Sequence, residues 1–212
     1  MADKHFQRLH PEQARAWLAE RPNALLPDAR EARHQAASHL AGASTLPAPP
    51  VAKPVSAVPP ALAAWLSAEG LDPTRPEAPG QHGNTPLMHA AWRGAADAVT
   101  ALLAFGVPLE AVNHDGNNAL WLACVNGEPK LIRTLVAAGV PIDHANLVQA
   151  TALMYGASAG KQAVVATLLD LGANPHLVSQ DDFSALDMAA SVECLQLLRA
   201  ATRRQAERAT VH

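Results

Sequence analysis

Ten histidines and two cysteines are the residues of this 212-residue chain best equipped for chemistry. Zinc binding would need several of them to converge, typically as His pairs one helical turn apart or closely spaced Cys pairs. The histidines fall at positions 5, 10, 34, 39, 82, 89, 114, 144, 176 and 212, with no i, i+4 pair and none near both Cys124 and Cys194. Those spacings predict exposed or locally bonded imidazoles rather than metal ligands. Two cysteines so far apart do not make a disulfide framework, and this usage suits a reducing, cytoplasmic setting. Lys161 follows Gly160, but Ala157-Ser-Ala-Gly-Lys161 lacks the first glycine of a phosphate-binding loop, and Gln162 stands where that loop needs Ser or Thr. With no Ser–His–Asp arrangement and no paired-carboxylate motif, the expectation is a non-enzymatic protein with no catalytic residue, cofactor or metal. Cys124 then reads as a small buried residue, and Trp121 as core.

The bulk composition narrows the fold. Apolar residues make up 49% of the chain and aromatics only 4%, so Ala and Leu carry the packing, which suits close-set helices better than a β-sandwich. A formal net charge of −3 does not point to nucleic acid or an acidic membrane as partner. The start, Met1-Ala-Asp-Lys-His-Phe, lacks the apolar core of a signal peptide, and no run reaches the roughly 20 apolar residues that span a bilayer. A monomer is expected.

What positions the side chains is a phrase written four times. Gly83-Asn-Thr-Pro-Leu87-Met-His-Ala-Ala91 recurs as Gly116-Asn-Asn-Ala-Leu120-Trp-Leu-Ala-Cys124, as Gln149-Ala-Thr-Ala-Leu153-Met-Tyr-Gly-Ala157 and as Asp182-Phe-Ser-Ala-Leu186-Asp-Met-Ala-Ala190. The anchor leucines are 33 residues apart, a period that marks a stacked repeat protein. Thr85, Asn118, Thr151 and Ser184 are N-caps for a first helix in each repeat. Gly94, Gly127 and Gly160 stop that helix; Gly106, Gly139 and Gly172 stop a second. Between the stops lie Val99, Leu102 and Leu103, then Ile132, Leu135 and Val136, then Val165, Leu168 and Leu169, which one helix pair alone cannot bury. Ala61 to Asp72 matches a second helix without its first and reads as a half-repeat cap.

This pattern resembles the ankyrin repeat, whose Gly-x-Thr-Pro-Leu-His-x-Ala-Ala phrase, helix-stopping glycines and Leu-Leu helix it shares over about 140 residues. The resemblance implies an all-α solenoid of helix-turn-helix pairs with β-hairpin tips. Expected boundaries are a cap at 61–72, repeats at 80–112, 113–145 and 146–178, and a shortened repeat at 179–200, within a domain spanning 61–200. A basic tail, 201–212, follows, and its arginines read as a solvated face. Met88, Trp121, Met154 and Asp187 replace the usual histidine, so the Thr–His hydrogen bond is lost and packing is expected to hold those turns.

Ahead of the repeats, Pro47 to Pro60 reads as a Pro/Ala-rich linker. Residues 1–46 contain Leu25-Leu-Pro-Asp-Ala-Arg-Glu31 and Ser38-His-Leu-Ala-Gly-Ala43, which resemble the opening third of a rhodanese domain. Pro27 interrupts the strand, Ser38 replaces a glycine, and the part bearing the catalytic cysteine is missing. The segment therefore reads as a remnant or docking appendage. The resemblance implies a second class of function, an accessory role in sulfur transfer.

The ankyrin resemblance itself implies a protein partner on the concave face formed by hairpin tips and first helices. Carried over by position, that face contains Gln81, His82, Asn84, Trp92 and Arg93, then His114, Asp115, Asn117, Val125 and Asn126. It continues with Leu147, Val148 and Ser158, and then Gln180, Asp181 and Phe183. Trp92 beside Arg93 stands out because both residue types are enriched in binding hot spots; packing on a neighbouring helix is the other reading of Trp92.

Overall fold

A computed structural model describes residues 57–209, with side chains through Arg204. The rhodanese-like segment and the linker as far as residue 56 lie outside the described residues. Eight α-helices follow one another among the described residues: α1 Pro60–Ala68, α2 Pro86–Arg93, α3 Ala96–Phe105, α4 Ala119–Asn126, α5 Pro129–Ala137, α6 Ala152–Ser158, α7 Gln162–Asp170 and α8 Val192–Ala209. The first helices α2, α4 and α6 pack side by side. Among the second helices α1 lies on α3, α5 on α7, and α7 on α8. The result is an all-α repeat solenoid.

The repeat spacing explains why each helix forms where it does. Pro60 opens α1 at a position where its missing N–H costs nothing. Leu62 and Leu66, one turn apart, then bury completely. In the full repeats Leu87, Leu120 and Leu153 sit at the base of the first helices, and Val99, Leu102, Ile132, Leu135, Val165 and Leu168 line the second helices; none is more than 1% exposed. Each such side chain contributes roughly 1.5–3 kcal/mol when removed from water, and all belong to one continuous core.

The caps work as spaced, with a chemical substitution that the sequence reading missed. Thr85 Oγ1 accepts from the Met88 N–H at 3.3 Å, and the Thr85 N–H in turn reaches Met88 Sδ at 3.4 Å. Thr151 and Met154 repeat the exchange. Packing alone does not hold these turns: the thioether supplies the acceptor that histidine would have supplied, and a reciprocal capping box survives. At Asn118 the partner is Trp121, whose indole has no acceptor. Asn118 Oδ1 still takes the Trp121 N–H at 3.0 Å, and its Nδ2 donates instead to the Pro141 carbonyl at 3.1 Å.

The fourth copy differs from its expected form. Ser184 does not cap a helix; residues 185–188 form only a turn. The Ser184 N–H and hydroxyl both donate to Asp187 Oδ2, at 2.9 and 2.6 Å. Anchor and second helix lie four residues closer here than in the first repeat, leaving no room for two full turns of helix. Leu186 is accordingly only partly buried, and Ala185, Cys194 and Leu198 close the core. Helix α8 continues as far as Ala209, so the start of the basic tail is helical.

Asn118→Ala removes a cap acceptor and a long-range donor to the Pro141 carbonyl from a residue that is 3% exposed. It should lower unfolding free energy by about 1–3 kcal/mol in urea titration. Ser184→Ala, on a half-exposed turn, should cost clearly less.

Candidate functional site at the hairpin tips and first-helix ends

The tips are built from short hairpins tied to one another by main-chain bonds. Within them Gly83, Gly116, Gln149 and Asp182 donate to the carbonyls of Gly80, Asn113, Asn146 and Ser179. Between them the N–H groups of His114, Leu147 and Gln180 donate to the carbonyls of His82, Asp115 and Val148 at 3.0, 3.2 and 3.1 Å. Successive tips approach so closely that a Cβ on Gly116 would lie 2.8 Å from the Leu147 nitrogen, and Gly116 also has φ +78°. Glycine is required there on both counts. Gln149 and Asp182 adopt the same left-handed backbone, φ +57° and +60°, without that freedom.

Side chains reinforce the register. Asn113 is buried; its Oδ1 accepts from the Asp115 and Asn117 amides at 3.0 and 2.9 Å, while Nδ2 donates to Asn84 Oδ1 in the preceding tip at 3.0 Å. Asn146 does the same with Val148, Ala150 and Asn117. Ser179 closes the series with its hydroxyl, accepting from Asp181 and Phe183 at 3.4 and 3.3 Å. His144 Nε2 lies 2.6 Å from the Gly116 carbonyl, so this imidazole ties the end of its repeat back to the hairpin at its start.

The first-helix ends form the second part of the site. His89 stands between two indoles, its ring centre 6.1 Å from Trp65 and 6.0 Å from Trp92. Its Nε2 lies 2.8 Å from Glu69 Oε2, and Arg93 Nε lies 3.5 Å from the same oxygen. The hydrogen bond from His89, with the Arg93 charge beside it, holds the Glu69 carboxyl below the usual carboxylate range. Farther along, Lys161 Nζ donates to the carbonyls of Cys124 and Val125 at the end of α4, at 3.2 and 2.5 Å, and lies 5.6 Å from the Tyr155 ring centre. Lys161 is thus a helix-end clasp.

The residues marked from sequence divide into two groups. Gln81, His82 and His114 are exposed on the tips, Trp92 is 49% exposed, the Arg93 side chain is 53% exposed, and Phe183 is 50% exposed. Asn84 and Asn117 lend their carboxamide oxygens to the next repeat, and Asn126 Nδ2 donates to the Trp92 carbonyl at 3.3 Å. Asp115 is partly covered, and its carbonyl holds Leu147. The Trp92 ring lies against His89 of its own helix, and about half of the residue faces solvent.

Sequence reasoning passed over Val112, Val178 and Val192, which are 45%, 50% and 64% exposed. Together with Leu147, Trp92 and Phe183 they make up the exposed large hydrophobics among the described residues. Five of the six lie on hairpins or at the end of a first helix; the sixth, Val192, opens the last second helix, α8. A signal was present: Val112 and Val178 are two 33-residue steps apart, and each precedes a buried Asn113 or Ser179 in extended alternation.

Family models for ankyrin repeats match residues 59–146 as three copies and residues 149–180 as one further repeat. The chain belongs to the ankyrin-repeat family. Ankyrin repeats generally bind protein partners. No curated protein matches the chain. Among the described residues of this ankyrin-repeat protein no group of three or more His, Cys, Asp or Glu side chains is placed to hold a metal ion, and no helix is long and apolar enough to cross a membrane.

Both cysteines are buried, and burial pushes the Cys124 thiol up from 9.0 to about 12. Sulfur transfer uses a thiolate, and at neutral pH Cys124 is held as the neutral thiol. Native protein at pH 7.5 should therefore resist iodoacetamide at both positions, reacting only after unfolding, as read by mass spectrometry. The raised folded value also fixes a sign: the contribution of Cys124 is fully present below about pH 9 and is lost as pH rises towards about 12. Alkaline unfolding titrations of wild type and Cys124→Ala should converge across that window.

Proposed function

We propose that this ankyrin-repeat protein is a non-enzymatic scaffold that captures a protein partner on the face formed by its hairpin tips and first-helix ends, acting as a monomer in the cytoplasm. The observation that carries this reading is that five of the six exposed large hydrophobics among the described residues lie on that face. Solvent-exposed apolar side chains collected on one side of a folded surface mark interaction sites. Family membership supports the same reading, since tips and first helices are where ankyrin proteins bind.

The geometry favours contact with a rigid surface. Main-chain bonds between tips, the asparagine series and the Lys161 clasp fix the facing side chains before a partner arrives. Pre-organisation of this kind lowers the ordering cost of association. Trp92 and Arg93 lie at one end of the face and Phe183 at the other, with Val112, Leu147 and Val178 between. The charges of Arg93 and Glu69 are already paired, so the indole rather than the guanidinium is the stronger anchor of that pair.

Immobilised full-length protein should capture the same set of partners as a Lys130→Glu variant altered on the exposed surface of α5. Trp92→Ala and Leu147→Asp should each weaken that capture by about 2 kcal/mol, roughly 30-fold in Kd, with little change in thermal unfolding. Capture that survives both changes but is lost in Lys130→Glu would move the site to the second helices.

A further inference from the structure

We infer that His89 is a positioning residue for Trp92, and that the half-repeat cap takes part in partner capture through it. Glu69 at the end of α1 fixes His89, and His89 fixes the indole that the partner meets. This inference rests on the interaction face proposed above. It gives α1 a second task besides covering the apolar end of the stack. Its basis is a row of contacts from the cap to the exposed indole, together with the residues that the other repeats carry at the same places.

The row begins at Glu69. Its N–H donates to the Trp65 carbonyl at 3.0 Å, which closes α1 and fixes the main chain that carries the carboxylate. An ionised carboxylate only accepts, so the 2.8 Å contact places a hydrogen on His89 Nε2 in either charge state of the ring. Arg93 Nε lies beside the same oxygen at 3.5 Å. His89, Trp92 and Arg93 stand at i, i+3 and i+4 of α2 and so share one side of that helix. The imidazole is held at one edge by Glu69 and flanked by two indoles, tilted 58° to Trp65 and 59° to Trp92 at distances where aromatic rings attract. From the other direction Asn126 of the next repeat holds the Trp92 carbonyl at 3.3 Å. Repeat two thus fixes the main chain of Trp92, and the cap, through His89, fixes its ring.

The other repeats show that stacking does not require this polar row. The places of His89, Trp92 and Arg93 are taken by Leu122, Val125 and Asn126 in the second repeat and by Tyr155, Ser158 and Ala159 in the third. The place of Glu69, just before the glycine that ends the preceding second helix, is taken by Phe105 and then by Ala138. Apolar or small residues there serve the repeat well, and Phe105, Leu122 and Tyr155 pack against the core. The His–Glu–Arg combination occurs only where a large half-exposed indole follows. An exposed side chain left to itself samples several rotamers and loses that freedom on binding; one already held does not. The cluster supplies that hold at the anchor.

The test labels the full-length protein with 5-fluorotryptophan, assigns the Trp92 resonance with Trp92→Phe, and reads ring mobility from fluorine relaxation. In the wild type the Trp92 ring should move with the protein as a whole. Glu69→Ala, which does not touch Trp92, and His89→Leu, which copies Leu122, should each free the ring on the nanosecond timescale with the melting temperature little changed. His89→Gln, which keeps an N–H within reach of Glu69, should restore the hold. Immobilised Glu69→Ala protein should retain the proteins that Trp92→Ala loses about three- to tenfold more weakly than wild type, the cost of ordering one freed side chain. On a Trp92→Ala background the same change should add nothing. A Trp92 ring equally ordered in wild type, Glu69→Ala and His89→Leu would overturn the positioning role and leave the interaction face standing. So would capture that Trp92→Ala weakens and Glu69→Ala does not. Capture indifferent to Trp92→Ala would overturn Trp92 as an anchor of the face itself, whatever the relaxation shows.

Discussion

No repeat in this chain can bury its own leucines. Two helices of seven to ten residues offer one apolar side each, and that side needs a neighbour. The structure meets this constraint by stacking: Leu120 and Ile132 are covered because the repeats before and after them are in place, and the same holds for Leu153 and Val165. A stacked arrangement leaves two ends that need closing. At the start, α1 supplies Leu62 and Leu66 without a first helix of its own. At the finish, a turn replaces the first helix, and α8 supplies Cys194 and Leu198.

Stacking by burial fixes the helices but leaves the tips, where side chains are few, to be aligned by polar bonds. Some of those bonds close each hairpin on itself, and others join one hairpin to the next. Carbonyls of one tip accept amides of the next; Asn113 and Asn146 satisfy their own hairpins with one atom and the preceding hairpin with another. Among the described residues no buried side-chain nitrogen or oxygen lacks a partner. The same network that removes the polar groups of the tips from competition leaves the apolar ones outside. Exposed Val112, Leu147, Val178 and Phe183 therefore face water on a backbone that is already ordered, which is the condition under which a partner gains most from covering them.

Much of this was legible in the sequence because it is periodic. The 33-residue step, the Thr and Asn caps, the glycine stops and the buried leucines follow from a pattern that local chemistry requires at every turn of the stack. What was not legible depends on contacts between residues far apart in the chain. Nothing about Lys161 in sequence says that its amine reaches the end of a helix 36 residues earlier. Met88 and Met154 looked like the loss of a hydrogen bond, and only the geometry gives the sulfur its acceptor role. Asn84 and Asn117 looked free on the surface, yet each is spoken for by the following repeat. The missing helix at Ser184 was foreshadowed by the shortened spacing, but Asp187 as its local replacement was not.

The central claim is that the face offered to a partner is held in register by bonds between repeats rather than being a set of independent loops. Native-state hydrogen exchange at the amides of His114, Leu147 and Gln180 tests it most directly. Each lies at an exposed tip and donates to the tip before it. Protection of all three amides, approaching that of Leu120 and Leu153 in the core, is the expected result. Exchange at the rate of an unstructured peptide at these three positions, with the core leucines still protected, would contradict it.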